Sequence, residues 1–323
     1  MTKLLDSKDW KILYHLCQDS RISHSRIGRL VRLSKNSVTY RIERLINKGI
    51  ISGFFTITNY SLLGLNAYTI LLRLNAAPER EKDMIGYLRS HPNVTVVDRF
   101  VGEWNLLIEL GCRTINEFSN FLSEFRSKFS DIIDIYETHT SLQFYKVEQL
   151  PVELVEEKQM PKPSSPKPAN IDNTDLKLLH ELSKNSAAPL YELAEKLGIT
   201  YETVSARIKK LRESGVVIRF TAKIKLGALG YDVYMIMLDL RNVSREGESG
   251  LRNFINAQKN IRYAFMSAQR PTILLYIAVK TSSELNSFLV RIKEKFSSII
   301  VSQKYLLSTE QIKYDLFPEG FVV

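Results

Sequence analysis

The chain contains an internal repeat, and this repeat limits its fold more than any other feature of the sequence. Residues 5–64 align with residues 171–230 without a gap, at a constant shift of 166 positions. Further along, Phe121 aligns with Phe288, so the shift there is 167. Each copy covers about half of the 323 residues, and one folding unit used twice therefore accounts for nearly all of the chain. Two similar units on one chain suit a target that itself has two-fold symmetry.

The first part of each copy carries the pattern of three helices. Asp6 and Asp172 lie where a helix needs an N-terminal capping side chain, and Ser34 and Thr200 precede the third helix in the same way. The apolar residues of the third helix recur in steps of four and three, which defines one buried face per copy. These residues are Val38, Ile42 and Leu45 in the first copy, and Val204, Ile208 and Leu211 in the second.

Turns and strands around the third helix also repeat. Gly49 and Gly215 stand where a helix ends on a left-handed residue. Before the helix, Arg32 takes the place that Gly198 has in the second copy, and a left-handed turn there would cost Arg32 about 1–2 kcal/mol. The segments 50–57 and 216–224 are expected to form a two-stranded wing within each copy, with Gly53 near the turn of the first.

The second part of each copy alternates strands and helices in the order βαββαβ, the ferredoxin-like arrangement. In the first copy we expect strands at 68–74, 94–101, 105–110 and 132–140, and helices at 79–90 and 116–129. The second copy repeats the order at 234–240, 251–257, 261–268, 272–279, 283–296 and 300–307. The predicted fold class is therefore α+β, with two winged helix-turn-helix domains, each followed by a ferredoxin-like domain.

A proline-rich segment separates the copies. Residues 151–170 contain the run Pro-Lys-Pro-Ser-Ser-Pro-Lys-Pro, which excludes a helix or a central strand and indicates a semi-rigid linker. We therefore expect five parts, at 1–60, 61–150, 151–170, 171–226 and 227–323.

The net charge of +10 is greatest in the first helical part. Residues 1–60 carry eleven Lys and Arg against four Asp and Glu, whereas residues 171–226 carry ten against seven. A basic surface suits a polyphosphate partner. Because no apolar run reaches the ~18 residues of a membrane span and no targeting segment is evident, we expect a cytoplasmic protein without a membrane partner.

This order of elements resembles the Lrp/AsnC (feast/famine) family of transcriptional regulators. The resemblance is carried by 27–34, Val38, Arg41, Ile42, Leu45 and 49–51, and again by 193–200, Val204, Arg207, Ile208, Leu211 and 215–217. It implies a sequence-specific regulator that binds double-stranded DNA, with two regulators fused so that one chain is a pseudo-dimer; further self-association stays open. It also implies that each ferredoxin-like part is a RAM-type domain for dimerisation and for sensing an amino acid or another small effector.

The resemblance implies that each third helix enters a major groove of DNA. In the first copy, Asn36, Thr39 and Tyr40 are candidates for base edges, and Lys35, Arg41, Arg44 and Lys48 for phosphate or guanine. The equivalent candidates in the second copy are Tyr201, Glu202, Ser205, Arg207, Lys209 and Lys210. Because an acid at the start of a reading helix repels phosphate, we expect the first copy to bind DNA more strongly.

An effector is expected at the loop formed by Gly102, Glu103, Trp104 and Asn105, where the family usually carries Gly-x-x-Asp. The matching residues 269–272 of the second copy contain neither glycine nor an acid, so sensing is less expected there. No metal or other cofactor is expected, since the five histidines and two cysteines lack the close spacing of metal ligands.

Two alternatives stay open. Siroheme decarboxylases resemble the same family and also occur as paired units, but the residues 95–100 and 105–108 lack the histidine of their signature. We therefore expect a chain that is not an enzyme. The charge also allows an architectural protein that coats DNA with little sequence choice, and an evenly spreading footprint would indicate it.

Overall fold

The structure is a computed structural model that describes residues 5–75, 77–151, 170–241, 243–270 and 272–322. The first copy contains α1 (Ser7–Gln18), α2 (His24–Val31), α3 (Lys35–Asn47), β1 (Ile51–Thr58), β2 (Asn66–Leu74), α4 (Pro78–Ser90), β3 (Val94–Val101), β4 (Leu106–Cys112), α5 (Ile115–Phe129) and β5 (Ile133–Val147). The second contains α6 (Asn173–Lys184), α7 (Leu190–Leu197), α8 (Tyr201–Glu213), β6 (Val217–Ile224), β7 (Asp232–Leu240), α9 (Arg245–Ala257), β8 (Ile261–Ser267), β9 (Ile273–Val279), α10 (Ser282–Lys295) and β10 (Ile300–Tyr314). Short 3-10 helices lie at Tyr60–Leu63, Leu226–Leu229 and Glu319–Phe321.

The chain divides into two compact units, each built from both copies. Unit 1 comprises Met1–Leu65, Val152–Leu229 and Asp315–Val323, and unit 2 comprises Asn66–Pro151 and Gly230–Tyr314. The helix-turn-helix parts thus belong to unit 1 and the ferredoxin-like parts to unit 2, which confirms the predicted fold class. The boundaries predicted for the five parts stay predictions, and most of the proline-rich linker lies outside the described residues. No helix within the described ranges is long and apolar enough to cross a membrane.

The helices of unit 1 begin and end where the capping pattern predicts. Asp6 and Asp172 each form a capping box with the backbone and side chain three residues further on. Gly49 and Gly215 have φ angles of +66° and +76°, which is the left-handed region in which glycine is favoured. The sharp turn before α3 is also left-handed: Arg32 has φ +56° where Gly198 has φ +64°.

The prediction that each copy forms its own two-stranded wing is wrong. Residues 51–58 form one continuous strand, β1, and this strand pairs antiparallel with β6 of the other copy instead of folding back on itself. Gly53 lies within β1 and not at a hairpin turn. The two strands also carry contacts with the other copy's first helix, since Thr56 Oγ1 donates to the carbonyl of Leu182 at 2.8 Å and Thr221 Oγ1 donates to that of Cys17 at 2.9 Å. Each helix-turn-helix therefore depends on a strand of its counterpart.

The shared strand pair lies on a pseudo-two-fold axis. Phe55 stands opposite Thr221, its own equivalent at the shift of 166. The equivalent residues Ser20 and Ser186 meet in the same way, with their hydroxyl oxygens 2.6 Å apart. Their backbone N–H groups donate to the carbonyls of Phe220 and Phe54 respectively. Two copies that meet at equivalent residues have the symmetry of a homodimer.

The C-terminal segment belongs to the core of the second helix-turn-helix. Phe317 and Phe321 are both 0% exposed and pack in one cluster with apolar residues of α6, α7 and α8. His180 Nδ1 lies 2.8 Å from the carbonyl oxygen of Phe317, and Tyr60 donates from its hydroxyl to the carbonyl of Leu316. The first copy's residues Leu63 and Leu65 join this cluster, so the core is shared between copies.

Unit 2 is a closed barrel of eight strands in the order β10-β3-β4-β2-β5-β8-β9-β7. The two ferredoxin-like parts join because β5 pairs with β8 and β10 pairs with β3, each across the copies. For this reason β5 and β10 continue to Val147 and Tyr314, past the ends at 140 and 307 that the sequence predicts. The phenylalanine stripe of α5, Phe118, Phe121, Phe125 and Phe129, is buried in one of two helix-covered cores.

Candidate nucleic-acid interface

The face of α3 that points away from the core forms the first half of the candidate interface, and α8 forms the second. We call α3 and α8 the reading helices. Ser34 and Thr200 start them, each accepting a hydrogen bond from the backbone N–H three residues further on. The buried residues of both helices are those that the helical spacing predicts: Val38, Ile42 and Leu45 in α3, and Val204, Ile208 and Leu211 in α8. The remaining side chains therefore face outward or towards the neighbouring helices.

The three base-reading candidates of α3 differ in how free they are. Asn36 and Tyr40 are exposed, and Tyr40 has 65% of its residue surface accessible. Thr39 is half-buried, because its hydroxyl donates to the carbonyl of Lys35 at 3.1 Å and lies 2.8 Å from His24 Nδ1. Burial, together with the charge of Lys35, lowers the pKa of His24 and so favours the neutral ring. Thr39 thus has a fixed rotamer at the edge of the exposed face.

Arg41 and Arg44 are held by a buried carboxylate. Asp9 is 1% exposed and accepts hydrogen bonds from Arg41 Nη1 at 2.8 Å and Arg44 Nη2 at 2.6 Å, while Arg41 also reaches Asp6 at 2.7 Å. Hydrogen bonds to Asp6 and Asp9 raise the pKa of Arg41. The two arginines therefore join α3 to α1, and they are only 22% and 34% exposed. We call this arrangement the aspartate clamp.

The second copy repeats the aspartate clamp. Asp175 is 0% exposed and accepts from Arg207 Nη1 at 2.8 Å and Lys210 Nζ at 2.6 Å. Hydrogen bonds from Arg207, and then from the backbone of Asp175, lower the pKa of Asp172. Neither clamp was predicted from the sequence, although a signal was present: the acids and the cations occur at the same positions in both copies. A charged pair that a repeat retains at equal offsets is a candidate for an internal ion pair.

The remaining DNA-contact candidates are exposed. Lys35 and Lys48 lie at the two ends of α3. On α8, Tyr201, Glu202, Ser205 and Lys209 are exposed, and Lys209 lies 3.8 Å from Glu213 one turn further on. A surface pair of this kind contributes little to stability, so Lys209 can exchange its partner for a phosphate at low cost.

An open hollow of about 420 Å³ lies on the outer face of α3. It is lined by Asn36, Ser37, Tyr40, Arg41 and Arg44. The hollow therefore combines an amide, two hydroxyl groups and two guanidinium groups, which are the groups that hydrogen-bond to base edges and to phosphate oxygens.

The residues expected at an effector site all have internal contacts. Gly102 has φ +144°, and a Cβ added there would collide with the Leu306 side chain, so the glycine permits close packing. Glu103 pairs with Lys304 at 2.8 Å. Trp104 is 4% exposed, and Asn105 Oδ1 accepts from the backbone N–H of Leu74 at 2.7 Å. Within the described ranges, no three His, Cys, Asp or Glu side chains converge into a metal site.

Two models of known domain families match the chain, one in each copy. Residues 5–52 match a winged helix-turn-helix DNA-binding domain, and residues 171–212 match an AsnC-type helix-turn-helix domain. Both matches cover the helices that form the candidate interface.

Curated transcriptional regulators match stretches of the chain about as long as one copy. The HTH-type transcriptional regulator FL11 of Pyrococcus abyssi (strain GE5 / Orsay) is 33% identical over 120 residues, which are 37% of this chain and 78% of the regulator. The regulatory protein AsnC of Haemophilus influenzae is 25% identical over 149 residues, 46% of this chain and 99% of AsnC.

Solved structures of a siroheme decarboxylase match nearly the whole chain. The siroheme decarboxylase NirDL covers 98% of this chain and 96% of its own, with a TM-score of 0.65 and 15% identity. At this identity the likeness shows a shared fold, and it extends that fold over the whole tandem arrangement.

Proposed function

This chain belongs to the Lrp/AsnC family of transcriptional regulators, with two copies fused in tandem, and we propose that it binds one double-stranded DNA site with both reading helices at once. The observation that carries the proposal is the pseudo-two-fold axis of unit 1, at which Phe55 stands opposite Thr221. Two reading helices related by such an axis match the two half-sites of an operator. The shared strands hold both helices in one unit, so their separation does not depend on the proline-rich linker.

In this proposal the exposed polar residues of the reading helices contact DNA directly. Asn36 and Tyr40, with Thr39 beside them, read base edges from α3, and Ser205 and Glu202 do so from α8. The amines of Lys35, Lys48 and Lys209 contact phosphates. The clamped cations, Arg41, Arg44, Arg207 and Lys210, have part of their charge neutralised by Asp9 or Asp175, so they orient the helices and add a weaker attraction for phosphate.

Selection of bound genomic fragments, followed by footprinting of the enriched sites, tests this proposal. A discrete protected site with two half-sites about one helical turn apart, or a multiple of it, is expected. Asn36→Ala should change the preferred bases in one half-site, whereas Lys293→Ala, an exposed change on α10 of unit 2, serves as the matched control and should leave the site unchanged. A protected region that spreads evenly with protein concentration would instead support an architectural DNA-coating protein.

The proposal also holds that the chain is not an enzyme. The similar transcriptional regulators support this view, and the histidine-free segments 95–100 and 105–108 agree with it. Titration with siroheme, followed by its absorption spectrum, tests the alternative. A change in the siroheme spectrum that indicates tight binding, together with release of siroheme carboxylate as carbon dioxide, would show that the chain is a decarboxylase of the same fold and not a regulator.

A small effector, an amino acid or another metabolite, is proposed to act at residues 102–105. Thermal stabilisation of the chain by a panel of amino acids would reveal it. Glu103→Ala is the appropriate site variant, since Gly102→Val would drive a side chain into Leu306 and disturb the packing by itself. A stabilisation that Glu103→Ala leaves intact would put the effector elsewhere. The cytoplasmic location expected from the sequence belongs to the same proposal, because a regulator acts where the DNA is.

A further inference from the structure

We propose that three arginines of the first copy, Arg26, Arg29 and Arg32, form a phosphate-binding ridge that the second copy lacks. We call these residues the arginine ridge. The inference rests on the proposed DNA binding. It adds α2 as a second element that contacts DNA, and it implies that one half of the complex binds more strongly than the other.

The arginine ridge is exposed and uncommitted. Ile27, Gly28 and Val31 bury the opposite face of α2, so Arg26 and Arg29 point into solvent, and Arg32 caps the C-terminal end of the helix. All three residues are exposed. With the residues that the structure describes, none of the three guanidinium groups forms an ion pair or a side-chain hydrogen bond, in contrast to the clamped Arg41 and Arg44. They are therefore available for an external anion.

The second copy reverses this charge. At the shift of 166, Arg26, Arg29 and Arg32 correspond to Glu192, Glu195 and Gly198. Glu195 is exposed, and Glu192 accepts a hydrogen bond from the Tyr191 hydroxyl at 3.2 Å. The two helices α2 and α7 have the same length and the same place in the fold. At these positions the first copy thus carries three cations and the second carries two acids. The lysine of α7, Lys196, pairs with Glu181 at 2.8 Å.

Arg32 adds an independent argument. Its φ of +56° makes it the one non-glycine residue with positive φ within the described ranges. Gly198 at φ +64° shows that glycine suits this turn. Arginine here carries backbone strain that the second copy avoids, and strain of this kind persists where a side chain serves a function.

The chemistry and position of the ridge fit a DNA backbone. In helix-turn-helix proteins the helix that precedes the reading helix crosses the phosphate backbone. A guanidinium group binds phosphate oxygens through two parallel hydrogen bonds, which makes arginine suited to this contact. Glutamates at the same place repel phosphate. The first copy therefore provides most of the electrostatic affinity, and the second copy contributes mainly through the bases that α8 contacts.

An exchange of residues between the copies tests the ridge in the full chain. The triple variant Arg26→Glu, Arg29→Glu and Arg32→Gly gives the first copy the residues of the second. Its charge-matched control changes three exposed residues of α10: Arg291→Gln, Lys293→Glu and Lys295→Glu. Both are compared with the wild-type chain by fluorescence anisotropy on a mixed-sequence linear duplex, over a series of salt concentrations.

For the triple variant we expect the slope of log affinity against log salt to fall by about 2.7, which is about 0.9 for each lost phosphate contact. The control should keep the wild-type slope. Arg32→Gly alone should lower the slope by about 0.9 while its melting temperature stays equal to or above that of the wild type. This combination separates a binding residue from a structural one.

The outcomes that overturn the inference are distinct from failure of the proposed function. If the wild-type chain binds duplex DNA and the triple variant retains its salt slope, the ridge is wrong and DNA binding stands. If the control loses as much slope as the triple variant, general charge explains the effect and the ridge is again wrong. If the wild-type chain binds no duplex, the proposed function and the ridge both fall.

Discussion

Replacement of Asp9 by asparagine should destabilise unit 1 by about 3 kcal/mol. The Asp9 carboxylate is 1% exposed and accepts from Arg41 at 2.8 Å, from Arg44 at 2.6 Å and from the backbone N–H of Asp6 at 3.1 Å. Asparagine keeps one acceptor oxygen but loses the charge. Each hydrogen bond to a charged group contributes about 1.5–3 kcal/mol net, and breaking a buried ion pair costs about 3–5 kcal/mol.

The lower end of that range applies here for a structural reason. Arg41 and Arg44 keep 22% and 34% of their side-chain surface exposed, so water can solvate them when the carboxylate is removed. Arg41 also retains its contact with Asp6 at 2.7 Å. About 3 kcal/mol therefore remains as the expected loss in the free energy of unfolding.

Urea unfolding of the full chain measures this loss. The chain has two tryptophans, Trp10 in α1 of unit 1 and Trp104 in unit 2. In a Trp104→Phe background the fluorescence of Trp10 reports on unit 1 alone. Asp175→Asn should lose a similar amount, because its clamp has the same geometry.

The matched control is Asp19→Asn, which breaks the more exposed ion pair with Arg212 at 3.0 Å. It should cost at most about 1 kcal/mol. If Asp9→Asn costs no more than Asp19→Asn, the reasoning about the buried carboxylate is refuted. The clamp also affects how binding data are interpreted: DNA affinity lost in Arg44→Ala has to be compared with the stability lost in the same variant.

Three other features give direct tests of the fold. Burial, and then the nearby Asp98, raise the pKa of Glu109 from 4.5 to about 7. Folded unit 2 therefore binds this proton more tightly than the unfolded chain does. As a result, the stability of unit 2 falls as the pH rises from about 4.5 to about 7. Glu109→Gln should therefore raise stability by up to about 3 kcal/mol in melts near pH 8 and change little near pH 5; an equal effect at both values would contradict the assignment. Phe321→Ala removes a fully buried ring and should lower the free energy of unfolding of unit 1 by about 3–5 kcal/mol. The loss should appear as a lower urea midpoint of Trp10 fluorescence. An unchanged midpoint would mean that the C-terminal segment is not part of the core of the second helix-turn-helix. A chain that ends at residue 150 lacks β6, the partner of β1. It should therefore sediment as a dimer in which β1 pairs with the β1 of a second chain. A folded monomer would argue against the shared strand pair.

Features set by neighbouring residues were predictable from the sequence. The caps Ser34 and Thr200 and the left-handed Gly49 involve contacts within about four residues, and a sequence pattern records such contacts directly. The buried faces of the reading helices follow from the helical period in the same way. The left-handed Arg32 was predictable because the second copy supplies glycine at that turn. The charge reversal between α2 and α7 was visible in the same alignment of the two copies. The net charge of each whole segment does not reveal it, because that sum includes many other residues.

The candidate site was predictable in its helices but not in the partners of its side chains. Asn36 and Tyr40 are exposed, as a helical face predicts. Arg41 and Arg44 belong to the same stretch of sequence, but Asp9, more than thirty positions earlier, holds them. Gly102 is a similar case, since the residue that approaches it is Leu306 on β10.

The sequence by itself determined the repeat, the order of elements, the helix ends and the family, while the tertiary structure decided which strands pair and which charges are internal. An alternating strand pattern specifies which face is buried, but any strand with a complementary register can supply the partner hydrogen bonds. For this reason the residues of β1 indicate a strand and do not reveal that β6 of the other copy completes it. The closed barrel of unit 2 arises in the same way, because β5 and β10 gain their last residues only where a strand of the other copy lies beside them.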